Sequence, residues 1–234
     1  MQAVILAAGM GTRMGELTKE TPKPMLPLLD KPIVEHILER LPKAVREVVI
    51  VVSVNTKQAF ENYLGAEFTQ GSSSISLKYA VQDESFSGTY GALYAAKPYL
   101  KSSFLVLNGD DIIDTQSLEL MSEYDLSMGF TLQVPPAPNY FIFRTTGDSY
   151  VKEMTRPTDS ELESEQLIAT GTYVLNSSIW DLEPINLKGS EYGLPQTLQP
   201  ILSQFKAVTL KQWLKINTPE DLAQAELALS KVSF

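Results

Sequence analysis

Apolar residues fill 2–7 after Gln2, and run unbroken at 48–52 and 104–107, the pattern of strands buried on both faces of a sheet. Between these runs the spacing becomes helical. Residues 32–41 place Ile33, Ile37, Leu38 and Leu41 on one side, residues 56–64 form a second helix, and Gly88 to Ala96 reads as a helix rich in small residues. Ile75 to Val81 alternates like a strand. The repetition predicts an α/β, Rossmann-like three-layer fold whose mostly parallel sheet takes ligands at the carboxyl ends of its strands. Beyond residue 107 the rhythm changes. A helix over 115–123 precedes strands over 127–134, 140–145 and 149–154, broken by Pro135-Pro136-Ala137-Pro138 and Thr146-Gly147-Asp148, so antiparallel additions and a mixed sheet are expected. Ile168 to Leu175 is a further strand, residues 195–204 a helix opened by Pro195, and Pro219 to Leu229 a last helix capped by Thr218. No linker or repeat divides the chain, and residues 1–234 are expected to form one domain with halves at about 1–112 and 113–234.

Composition narrows the chemistry. The 234 residues are 44% hydrophobic, enough for a full core, and the absence of cysteine removes disulfides, thiolate nucleophiles and cysteine zinc sites. The one histidine, His36, lies in a helical run and is read as a packing residue. A net charge of −9 argues against nucleic-acid binding, since a reader of a polyanion carries a basic face. No apolar run is long enough to span a membrane and Met1 leads directly into a strand, so no membrane partner and a cytoplasmic location are expected. The acidity is unevenly spread. Residues 1–31 hold four basic and three acidic side chains, which suits a small anionic ligand at that end.

The first strand runs into Leu6-Ala7-Ala8-Gly9-Met10-Gly11-Thr12-Arg13-Met14, and Pro22-Lys23-Pro24-Met25 follows. Gly9 and Gly11 let a ligand approach the main chain, whose amides point at anionic oxygens, while Arg13 and Lys23 add charge; the stretch reads as a phosphate site. It is not a dinucleotide fingerprint, which wants glycine where Met14 stands, nor a Walker loop, which wants Gly-Lys-Ser/Thr. Gln82 ends a strand ahead of Gly88-Thr89-Tyr90-Gly91, and its amide offers a donor and an acceptor to uracil or thymine. Asp110, in Asn108-Gly109-Asp110-Asp111 at the end of an apolar strand, lies where a carboxylate and phosphate oxygens together satisfy Mg2+. Asp111 is read as a helix-start residue and Asp114 as a cap.

Together these stretches resemble the sugar-nucleotide pyrophosphorylase family, nucleotidyltransferases that join a nucleoside triphosphate to a sugar 1-phosphate, along nearly the whole chain. The resemblance implies the nucleotide-diphospho-sugar transferase form of the fold, with a nucleotide-binding first half and a sugar-phosphate-binding second half. It implies that Leu6, Ala8, Gly9, Gly11, Thr12 and Arg13 wrap the triphosphate, that Arg13 and Lys23 are catalytic, and that Gln82, Gly88 and Thr89 hold the base, with dTTP or UTP favoured. Mg2+ is the implied cofactor, on Asp110 with Asn217, and Arg156, Gly171, Glu191 and Tyr192 are implied to hold the sugar phosphate. An assembly of identical copies is compatible with the sequence, and with no hexapeptide repeat a β-helix acyltransferase module is not expected. Two positions depart from the family pattern. Thr155 replaces a glutamate that commonly holds sugar hydroxyls, and Lys215, in Trp213-Leu214-Lys215-Ile216-Asn217-Thr218, stands where an aspartate often forms the second metal ligand. For Lys215 four accounts stay open: Asn217 supplies a neutral ligand oxygen, Asp110 and phosphates suffice, Lys215 itself neutralises phosphate charge, or catalysis is lost. The alternatives to a sugar nucleotidyltransferase are a non-catalytic nucleotide-sugar-binding regulatory homologue and a cytidylyltransferase for a non-sugar phosphate such as phosphocholine.

Overall fold

The computed structural model describes residues 1–138 and 140–231. In chain order its strands and helices are β1 (Gln2–Leu6), β2 (Pro27–Leu28), β3 (Lys31–Pro32), α1 (Ile33–Arg40), β4 (Glu47–Val52), α2 (Lys57–Leu64), β5 (Glu67–Gln70) and β6 (Ser73–Val81). Then come α3 (Gly88–Ala96), β7 (Phe104–Asn108), β8 (Asp111–Ile113), α4 (Thr115–Met121), β9 (Ser127–Gln133), β10 (Ile142–Thr145), β11 (Val151–Thr155) and β12 (Gln166–Leu175). The chain finishes with β13 (Asn186–Lys188), β14 (Glu191–Tyr192), α5 (Leu194–Thr197), β15 (Lys206–Thr209), β16 (Trp213–Lys215) and α6 (Pro219–Ser230).

The three unbroken apolar runs become the sheet centre, as two-sided burial requires. β1 pairs in parallel with β4 and β7, setting Val4 beside Val49 and Val106. Successive side chains point to opposite faces, so Ala3, Ile5 and Ala7 join a core with residues of α1, α2, α4 and α6, while Val4 joins a second core with Tyr90 and Leu93 of α3. Among the described residues the sheet holds ten strands along the path β11-β10-β12-β7-β1-β4-β6-β5, with β9 beside β12 and β15 beside β9. The direction reverses at β12, which runs antiparallel to β7 from Tyr173 to Leu175 and antiparallel to β9, with the β9 register interrupted between Ala169 and Tyr173. The sheet is therefore parallel at its centre and mixed overall. Two main-chain bonds tie the carboxyl ends of the central strands, Ala7 N–H to the Val51 carbonyl (2.8 Å) and Gly109 N–H to the Leu6 carbonyl (2.9 Å).

Several local readings hold. Thr218 caps α6 in a reciprocal box with Asp221, Asp114 Oδ1 accepts from Ser117 N–H at the start of α4 (2.9 Å), and His36 is buried with Nε2 2.8 Å from the Leu28 carbonyl. Three differ. Residues 195–204 split into α5 and a 3₁₀ turn over Gln199–Gln204, because Pro200 has no N–H with which to continue an α-helix. Glu67 to Gln70 form an antiparallel edge strand on β6 that the apolar pattern did not reveal. Asp111 opens β8 rather than a helix, and β8 pairs with β16 so that Asp111 lies opposite Lys215. Among the described residues no helix is long and apolar enough to cross a membrane.

Candidate active site

One cavity of about 790 Å3 opens at the carboxyl ends of the central strands. Its first wall is the turn after β1. The chain leaves Leu6, turns at Gly11 with φ +63°, and enters a 3₁₀ segment over Thr12–Thr18 in which Met14 N–H bonds the Gly11 carbonyl (2.9 Å) and the buried Met14 side chain anchors the loop. A side chain at Gly11 would meet Lys23 Cβ at 2.9 Å, so glycine is what allows the loop and the Pro22-Lys23-Pro24 segment to touch. That contact delivers Lys23 to the cavity floor. Its Nζ donates to Asp110 Oδ2 (2.5 Å) and to Asn217 Oδ1 (3.0 Å), and the Arg13 guanidinium donates to the same Asn217 oxygen (2.6 Å). Residues far apart in sequence thus converge, two cations on one carboxylate and one amide oxygen.

Asp111 is the group the sequence reading undervalued. Its side chain is buried beside Asp110, Oδ2 accepts from Asn108 Nδ2 (2.8 Å), and Oδ1 has no hydrogen-bond partner. Burial, followed by the Asp110 charge, pushes this carboxyl up to about 8, against the opposing pull of Asn108 and Lys23. The sign follows from linkage. The folded chain keeps a proton that the unfolded chain sheds above about pH 4, so this group's contribution is full at low pH and is lost as pH climbs toward 8. His36, held low chiefly by burial, acts in the opposite direction near neutrality, and the difference between variants isolates Asp111. In EDTA, Asp111→Asn is expected to flatten the fall in unfolding free energy between pH 5 and 8 measured by urea titration; parallel profiles for the two proteins would refute the assignment.

A second wall of the cavity is built from the β6–α3 connection. Gln82 Nε2 donates to the Gly88 carbonyl (2.9 Å) and reaches the Phe86 carbonyl at 3.5 Å, which leaves Oε1 as the atom this amide offers to a ligand. The segment is pinned against β14, with Ser87 N–H bonded to the Ser190 carbonyl (2.7 Å) and Tyr192 N–H to the Ser87 carbonyl (2.9 Å). Thr89 lines the cavity, but its Oγ1 is engaged by Leu194 N–H (2.9 Å), so the side chain serves the wall.

On the opposite side Arg156 stacks 3.7 Å above the Phe141 ring, Gly171 lies against Asn108, and Glu191 faces the cavity. Tyr192 does not line it; the ring packs on Phe86 with centroids 4.4 Å apart. Thr155 lies outside the lining as well, whereas Trp213 and Lys215 belong to it. The sequence reading also missed Phe143, Met154 and Tyr173, which give the second half-site an apolar floor and which carry no signal apart from the strand pattern. All the other predicted residues, Leu6, Ala8, Gly9, Gly11, Thr12, Arg13, Lys23, Gln82, Gly88, Thr89, Asp110, Arg156, Gly171, Glu191 and Asn217, line this one cavity.

A divalent cation is compatible with this floor only in company. Among the described residues no group of three or more acidic, histidine or cysteine side chains gathers to form a cage. Asp110 and the Asn217 oxygen instead converge on one point, where the Lys23 ammonium now rests. Two oxygen donors suit an ion that arrives coordinated by phosphates.

The sequence pattern of the nucleotidyl transferase family matches residues 2–231. The chain belongs to that family. Among its relatives, the bifunctional protein GlmU of Methanococcus vannielii is 32% identical over 235 residues, covering 96% of this chain and 54% of the relative. The UTP–glucose-1-phosphate uridylyltransferase of Staphylococcus epidermidis is 30% identical over 210 residues, covering 77% and 73%. The chain spans about half the length of the GlmU relatives it matches. Its fold is also that of solved structures: the inositol-1-phosphate CTP transferase from T. maritima has a TM-score of 0.79 at 18% identity, covering 98% of this chain and 95% of the other. UDP-glucose pyrophosphorylase complexed with UDP-glucose has 0.78 at 19%, covering 99% of each. This member of the nucleotidyl transferase family thus has the α/β three-layer fold of those solved structures.

Proposed function

We propose that this chain transfers a nucleotidyl group from a nucleoside triphosphate to a sugar 1-phosphate and releases pyrophosphate. The observation that carries the reading is the convergence, in one cavity, of the Gly9–Arg13 loop, the Gln82 amide and the Lys23–Asp110–Asn217 contact. An oxygen of the acceptor phosphate attacks the α-phosphorus in line, the bond from the α-phosphorus to the bridging oxygen breaks, and the electron pair leaves with pyrophosphate. No covalent enzyme intermediate is needed. The task is to hold two anions together and to stabilise charge as it shifts to the leaving group. Arg13 and the loop amides receive the triphosphate, Lys23 moves from Asp110 to the reacting phosphates, and Arg156 meets the acceptor. Mg2+, held by Asp110 and Asn217 with phosphate oxygens, would neutralise charge and orient the phosphates. A cytoplasmic location follows from the need for nucleoside triphosphate.

The base choice rests on Gln82. With Nε2 committed to main-chain carbonyls, Oε1 is an acceptor suited to the imide N–H of uracil or thymine, whereas the matching ring nitrogen of cytosine is itself an acceptor. UTP and dTTP are therefore the favoured donors. Pyrophosphate release, measured over five nucleoside triphosphates against glucose 1-phosphate, other sugar 1-phosphates, inositol 1-phosphate and phosphocholine, tests both claims. Release with no acceptor, or only with CTP and phosphocholine, rejects the sugar reading. Gln82→Ala is expected to raise KM for UTP by about tenfold and to erase most of the preference over CTP, with a smaller change in kcat.

A further inference from the structure

Of the cations around the cavity, Lys23 is bonded to Asp110 and Asn217, Arg13 to Asn217, and Arg156 lies on Phe141. Lys215 differs. Its half-buried side chain lines the cavity and forms neither an ion pair nor a hydrogen bond among the described residues; its Nζ stands 5.6 Å from the centre of the Trp213 ring. Its backbone is nevertheless fixed on both sides. The strand that carries it is paired with β8, Lys215 sits opposite Asp111, and the next residue, Ile216, donates its N–H to the Asp110 carbonyl (3.0 Å). Two residues onward, Asn217 receives Arg13 and Lys23.

Lys215 therefore occupies the seam between two walls. One wall is the Arg13–Asn217 contact; the other is Gly171 against Asn108, which bonds Asp111 across from Lys215. The triphosphate side already has loop amides, Arg13 and Lys23. The seam is where a second phosphate has to be pressed against the first, and a cation with no fixed partner is placed there on a rigid pair of strands. We propose that Lys215 binds the phosphate of the acceptor at this seam and positions its attacking oxygen, which makes a phosphate monoester dianion the required acceptor group. This rests on the transferase reading given above. The ammonium is a point charge with three donors, suited to a rotating phosphate group, and Trp213 limits how far it can swing away.

Two measurements test the role. In steady-state kinetics with the donor and sugar 1-phosphate that turn over, Lys215→Ala raises KM for the acceptor about tenfold to a hundredfold and leaves KM for the nucleotide within about threefold, while Lys215→Arg recovers most of the loss. The reverse split, nucleotide KM raised and acceptor KM unchanged, overturns the proposal. The second needs no turnover. Lysine acetylation of the intact wild-type chain, read by mass spectrometry with exposed Lys43 as reference, is expected to leave Lys215 reactive when UTP alone is bound and to slow markedly at Lys215 when inorganic phosphate is added. Suppression by UTP alone, or no effect of phosphate, refutes it. A chain that turns over no pair of substrates yet shows phosphate protection of Lys215 would sink the transferase reading and keep the phosphate site.

Discussion

Lys23→Ala is expected to lower kcat/KM for pyrophosphate release by about a thousandfold or more while the chain stays folded. A fixed donor aimed at developing negative charge is worth about a hundredfold to a thousandfold in a water-poor site, and two bonds hold this lysine's ammonium on the cavity floor, where the proposed function puts the reacting phosphates. The fold survives for a local reason. The Asp110 side chain that loses its partner is 26% exposed, so water replaces the ammonium, and the flanking prolines still shape the 3₁₀ turn. Single-turnover assays beside a circular-dichroism melt check the result, with Lys23→Met as a control that restores packing without charge. Turnover within about tenfold of wild type would remove Lys23 from the chemistry.

Gly88→Ala is the second large effect, and it strikes both stability and nucleotide affinity. Gly88 has φ +81°, and an added Cβ would overlap the Tyr192 carbonyl oxygen and lie 2.7 Å from the Tyr192 nitrogen. Neither strand edge can step aside, because Ser87 is bonded to Ser190 on one side and Tyr192 on the other. The substitution is expected to cost about 2–4 kcal/mol of unfolding free energy, combining left-handed strain with backbone overlap. Since the Gly88 carbonyl holds Gln82, UTP affinity should fall about tenfold or more in calorimetric titrations, even below the melting range. A variant within about 0.5 kcal/mol of wild type with unchanged affinity would contradict this account.

How much of this was legible in the sequence depends on the physical signal each part carries. The central strands were readable because two-sided burial demands uninterrupted apolar residues, and Gly88 to Ala96 because small residues let a helix lie close on the sheet. Glu67 to Gln70 escaped notice because an edge strand needs neither feature. That the Gly9–Arg13 loop and Asp110 would line a cavity was readable because glycine, cation and carboxylate sit in short, fixed spacings. Asp111 was not, since its burial depends on the pairing of Asp111–Ile113 with Trp213–Lys215, a contact across more than a hundred residues. The aromatic floor of the second half-site was silent for a similar reason: Phe141, Phe143 and Tyr173 look like any strand residues until the sheet is assembled. Tyr192 was placed in the right segment but on the wrong side of it, where the partner is Phe86.

The interruption in β12 bears on how this site could be re-engineered. Residues 170–172 lie outside the registers with both β7 and β9, and Thr170 and Gly171 face the cavity there. An acceptor that rests on this stretch meets peptide groups, whose chemistry is the same whatever residue is encoded. Substitution libraries at these positions would sample strain more than selectivity. Shifting acceptor preference would instead call for a residue inserted or deleted near Ala169, which moves the gap in the ladder and with it the part of the ligand that the main chain touches.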